Sequence, residues 1–219
     1  MSEPTDALFT NSAVSRLLDL AAASRRPGGA PLEDELDRFC RTLRDGGTLA
    51  WAVPLAAVTA LLELLAEDAA SPRGRTRPAA HRDLLAGAAG DAPAPAFLRS
   101  LAARLRDRER ELSPGLDALP LSQWEALARF GLIDGFTHVF ESGDHDDLVG
   151  AAREAAASEH PSDCHGRIAA LAGELQRTLL MFPRPHDLDA AFARVMPEVT
   201  HPRLRALLDA VLEHFAEAH

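Results

Sequence analysis

Apolar side chains recur along this chain every third or fourth residue, and no stretch alternates apolar with polar residues as a half-buried strand must. That spacing confines the polypeptide to amphipathic helices packed through their apolar stripes. Five stripes carry the reading: Val14, Leu17, Leu18 and Ala21; Leu32, Leu36, Phe39 and Leu43; Leu98, Leu101, Leu105 and Leu112; Ile168, Leu171, Leu175 and Leu179; Leu204, Leu207, Leu208, Val211 and Phe215. The expected fold is all-α, a compact multi-helix bundle of about eight to ten helices. At 219 residues the chain suits a single all-α domain over 1–219, with a soft subdivision near 113–120 where Ser113-Pro114-Gly115 interrupts the pattern.

The uncharged run from Gly46 to Leu62 is too short and too alanine-rich for a membrane span, and Pro54 interrupts it. It is expected to be a buried central helix. A break over 71–95 is expected to hold one short helix near His81–Ala89. Trp124 and Leu127 are expected to anchor the helix that opens at Pro120 and Ser122. His186-Asp187 reads as a helix N-terminus, with Asp187 and Asp189 in its first turn.

Charge is uneven. Residues 1–112 hold 15 Arg and 16 acidic residues (net −1), whereas residues 113–219 hold 8 and 17 (net −9). A surface of that sign repels phosphate backbones, so no nucleic-acid partner is expected. The opening MSEPTDALFT has no basic segment followed by an apolar core, and two distant cysteines make no disulfide framework. The expectation is a cytoplasmic protein with both thiols reduced and no membrane association. Cys40 flanks an apolar stripe and reads as packing.

Chemistry-bearing residues concentrate between Asp134 and His165, where eight carboxylates face a single arginine beside four histidines and Cys164. Much of this acidity has a structural use, because aspartates at 144, 146 and 147 precede a helix expected over Leu148–Ala157. Two sets remain. On a helix over 132–141, Asp134, His138 and Glu141 share one face, opposite Ile133, Phe136 and Phe140. Further on, Pro161 suits the first position of a helix, making His160 its N-cap, with Cys164 on the core side and His165 at its edge. If the two segments meet, Asp134, His138, Glu141, His160, Cys164 and His165 form a His/Cys/carboxylate set for a divalent transition metal. A separate cluster, Arg73, Arg75, Arg77 and Arg82, offers a clamp for an anionic ligand.

Two functional expectations follow. One is a non-catalytic helical binding protein for a protein partner or small ligand, self-associating into a homo-oligomer through an apolar helix face. The other is a small metal-dependent enzyme acting on a small molecule with non-haem iron, zinc or manganese, haem being less suited, centred on the 134–165 residues.

Overall fold

Four successive helices in the first half of the chain start directly behind a proline. Pro31, Pro54, Pro78 and Pro93 stand at the N-cap positions of α2 (Leu32–Arg44), α3 (Leu55–Ala70), α4 (Ala79–Ala89) and α5 (Ala94–Glu109), with φ between −50° and −58° and extended ψ. The pyrrolidine ring fixes that φ, and its missing N–H costs nothing where no intrahelical bond would form. The preceding α1 (Ala13–Ser24) starts differently, at a reciprocal cap in which the Ser12 hydroxyl accepts from Ser15 N–H and the Ser15 hydroxyl accepts from Ser12 N–H.

The structure, a computed structural model, describes residues 4–45, 52–137, 147–158 and 160–219, without the side chains of residues 4–6, 73 and 75. It holds eleven α-helices and no strand among the described residues, so the fold is all-α. The count exceeds eight to ten because Phe130, at φ −130° and ψ 31°, divides α6 (Gln123–Arg129) from α7 (Gly131–Thr137). The chain gathers into two compact units, Met1–Leu119 and Pro120–His219.

In the first unit, α3 packs most extensively on α5 and α1 on α4. The core joins Leu17, Leu18, Leu36, Phe39, Leu62, Leu65, Leu98, Leu101 and Leu105, all at most 1% exposed. Arg25 closes the end of α4: its Nε and Nη2 donate to the Ala88 and Ala89 carbonyls at 2.7 and 2.8 Å. A cation there answers both the orphan carbonyls and the negative end of the helix dipole. Gly90 must be glycine at this point, because its φ is +60° and a Cβ would stand 2.6 Å from the Arg25 guanidinium. Cys40 is fully buried, and burial pushes its thiol up to about 11.

Two expectations for this unit are corrected. The described part of the apolar 46–62 run becomes helical only behind Pro54 and continues past Glu63 and Glu67 to Ala70; Gly46–Trp51 lie outside the described residues. Leu112 belongs to no stripe: α5 ends at Glu109 and Leu112 is 97% exposed. Three arginines of α5 form ion pairs across helices, Arg108 with Glu33 and Asp37, Arg104 with Glu33, and Arg106 with Glu63. Among the described residues no helix is long and apolar enough to cross a membrane.

The second unit contains α6, α7, α8 (Leu148–Ala157), α9 (Ala169–Met181), α10 (Pro185–Phe192) and α11 (His201–Ala218). The Asp147 carboxylate caps α8 by accepting from Gly150 N–H at 2.6 Å. The buried face of α8 is entirely alanine (Ala151, Ala152, Ala155, Ala156), which lets the backbone of α11 approach closely. Arg153 and Glu213 join the two helices at their rim in a bidentate pair of 2.8 and 3.0 Å.

The expected anchors of α6 are also corrected. Leu127 is 43% exposed and Trp124 only half-buried, whereas Glu125 and Arg129 are buried. These two lie four apart and bond at 3.2 Å; Arg129 also reaches Met181 Sδ at 3.3 Å and covers the Phe130 ring. A charged pair with every face occupied tolerates burial that hydropathy alone would forbid. A second buried carboxylate, Glu174 of α9, accepts from Ile133 N–H at 2.8 Å and so closes the start of α7; burial raises its pKa.

Candidate metal centre

The turn that follows α8 sets the base of the site. Residues 160–163 form turns, Asp163 takes the N-cap position, and Cys164–Ile168 winds as one π-helical turn before α9 begins. Ala169 N–H reaches back five residues to the Cys164 carbonyl. Such an expanded turn re-aims the side chains at its start, and π turns recur at functional positions. His160 therefore precedes the helix by several residues and is not its N-cap, a correction to the sequence expectation. Ile168 is fully buried and Cys164 is 1% exposed, so the thiol is fixed on the core side while His165 projects outward.

The end of α11 supplies the rest. Leu204, Leu207, Leu208 and Val211 face the core. His214 continues that face, seven residues beyond Leu207 and three beyond Val211, and is half-buried. His219 follows directly after the last turn and is exposed.

These two ends meet. Cys164 Sγ lies 3.4 Å from His160 Nδ1 and 3.3 Å from His214 Nε2. One donor atom from each of His160, Cys164, His214 and His219 lies within 4.8 Å of the other three. The imidazole centroids of His160, His214 and His219 are 5.2 to 5.6 Å apart. With metal–nitrogen bonds of about 2.0–2.1 Å and a metal–sulfur bond of about 2.3 Å, a tetrahedron has N···S edges of roughly 3.6 Å and N···N edges of roughly 3.4 Å. Both sulfur–nitrogen distances match such edges within a few tenths of an ångström, and the other donor pairs lie within 4.8 Å. Partial desolvation, then the neighbouring His165, His160 and His214, hold His219 below the usual histidine range, which favours its neutral, metal-binding form.

One thiol and three imidazoles suit a borderline or soft transition metal and offer nothing to magnesium or calcium, which prefer oxygen. Four protein donors also fill a tetrahedron, the pattern of closed sites.

Of the residues expected from sequence, His160 and Cys164 stand in this group, and His165 stands beside it, its ring 4.6 Å from that of His219. Asp134 is half-buried on α7 and is not one of the four. His138 and Glu141 lie outside the described residues, and with them the expected meeting of 134–141 with 160–165. In the arginine cluster, Arg77 is buried with its guanidinium on Asp68 and over the Phe9 ring, Arg82 is exposed on α4, and the side chains of Arg73 and Arg75 lie outside the description. His214 and His219 were missed. The available signal was His214 itself, a histidine on the core-facing stripe of an amphipathic helix. Comparison with protein families, curated proteins and solved structures gave no match.

Proposed function

We propose that this protein is a non-catalytic helical metal-binding protein whose second unit holds one transition-metal ion, zinc by its donor set, on His160, Cys164, His214 and His219. The observation that carries the reading is the convergence of four donor atoms within 4.8 Å from two segments separated by about 50 residues of chain. Zinc needs no redox partner and takes thiolate and imidazole in tetrahedral array. With all four positions filled by protein, the ion has no site for a substrate water, which favours a structural or regulatory role over hydrolysis. Bound metal would fasten the end of α11 to the π turn ahead of α9.

The test is equilibrium dialysis of the untagged, metal-stripped chain against buffered zinc. One equivalent should bind, and Cys164→Ser and His214→Ala should each weaken it roughly 100-fold or more, a quarter share of a typical four-ligand zinc affinity. Binding below about a tenth of an equivalent, or unchanged affinity in both variants, refutes the reading.

A further inference from the structure

The proposed centre has a graded exposure. Its thiol is buried at the base, His214 is half-buried, and His160 and His219 stand at the solvent rim. A fourth imidazole, His165, stands outside the set of one thiol and three imidazoles. It follows Cys164 in the π turn, is exposed, and packs at 4.6 Å on the ring of His219, closer than the rings of His160 (5.6 Å) or His214 (5.5 Å). Its ring also lies 6.4 Å from that of Phe215. His165 is thus tethered next to a ligand, both rings being exposed, with no hydrogen bond that would hold it there among those described.

We propose that His165 is an exchange ligand: it replaces His219 on the bound ion and so carries the metal between solvent and the buried thiolate. The idea rests on the metal-binding reading above. In the exchange, the His165 imidazole would give a nitrogen lone pair to the ion as the His219 imidazole withdraws its own, so that one metal–nitrogen bond forms and one breaks. One metal–nitrogen bond replaces another, so the exchange needs no oxidant or reductant. Tetrahedral zinc expands to five ligands readily. A tethered incoming ligand lowers the barrier because its approach needs no encounter from solution. The exposed rim then lets a competing acceptor, a small chelator or a thiol- and imidazole-bearing protein, take the ion once His219 is off. This assigns the centre to reversible metal exchange, with the π turn holding Cys164 inward and His165 outward on adjacent residues.

The test uses the full-length chain loaded with one equivalent of zinc, mixed rapidly with excess chromogenic chelator, and the reverse loading of the stripped chain. His165→Ala should slow both uptake and release by about tenfold or more while moving the equilibrium affinity less than about threefold, since affinity is the ratio of the two rates. Free imidazole in the buffer should restore fast exchange to His165→Ala, which a merely structural role would not produce. His165 is exposed, and His165→Gln, which keeps a polar side chain but binds zinc poorly, should behave like the alanine variant. Unchanged rates in both variants would overturn the inference while leaving the metal site standing. Affinity that falls with uptake unchanged would make His165 a permanent ligand and also overturn it. If the wild-type chain takes up no zinc, the proposed function fails, and this inference with it.

Discussion

Replacing His214 by alanine perturbs the centre with little disturbance to the core, because the side chain is half-buried at the far end of the α11 stripe and touches the site through Cys164 Sγ at 3.3 Å. Zinc that binds only the folded state stabilises it by about 4.1 kcal/mol when free zinc stands at 1,000 times the dissociation constant. Structural zinc sites release about 10–16 kcal/mol, so one of four ligands carries roughly 2.5–4 kcal/mol, or a 10²- to 10³-fold change in affinity. At the same free zinc the variant is then only about one- to tenfold above its own dissociation constant, and the stabilisation drops to about 0.4–1.4 kcal/mol. The assay is urea unfolding of each protein with buffered zinc and with chelator. Trp124 fluorescence, followed in a Trp51→Phe background, reports the second unit. The wild type should shift its midpoint strongly with zinc, the variant weakly, and the two should nearly coincide in chelator. Equal zinc-induced shifts in both proteins would refute the assignment of His214 as a ligand.

Buried ionisable groups in the two units make three further predictions. Arg129→Met leaves Glu125 buried without its 3.2 Å partner and should cost about 3–5 kcal/mol, whereas Glu125→Leu with Arg129→Met together should cost far less; equal losses in urea unfolding would count against a buried pair. Glu174 has a raised pKa in the fold because burial disfavours its charge, so its protonated form is fully stabilising below the unfolded carboxylate value and that stability is lost as pH rises through the folded value. Glu174→Gln should therefore flatten the decline of stability across that rise while still accepting from Ile133 N–H, and Glu174→Ala should cost about 1–3 kcal/mol where the carboxyl is protonated and less as pH rises. In the first unit, Cys40 is buried with its thiol pushed up to about 11, so at pH 8 iodoacetamide should modify it only after unfolding; labelling in native buffer, read by peptide mass, would contradict its place in the core.

The helices were legible in the sequence wherever burial follows hydropathy. Leu17, Leu36, Leu101, Leu171 and Leu207 are fully or nearly buried because the 3.6-residue repeat leaves them no other face. The reading failed at α6, where Glu125 and Arg129 satisfy each other at i, i+4 and displace Leu127 to the surface; apolar spacing carries no information about such a pair. The candidate site was half legible for a related reason. His160 and Cys164 are four residues apart and so form a local signal, but His214 joins them from 50 residues away, through the packing of α11 on α8 and α9. The π turn that separates Cys164 from His165 leaves no trace in the repeat, since its extra residue is absorbed without breaking the stripe from Ile168 onward.

Cobalt(II) substitution tests the central claim most directly, because its spectrum reports both geometry and the sulfur ligand. The metal-stripped protein with one equivalent of cobalt should turn strongly coloured, with the intense visible bands of a tetrahedral ion and a near-ultraviolet thiolate charge-transfer band; Cys164→Ser should lose that band, and zinc should bleach the colour at one equivalent. A weak octahedral spectrum with no thiolate band, or a spectrum identical in Cys164→Ser, would contradict a centre built on His160, Cys164, His214 and His219.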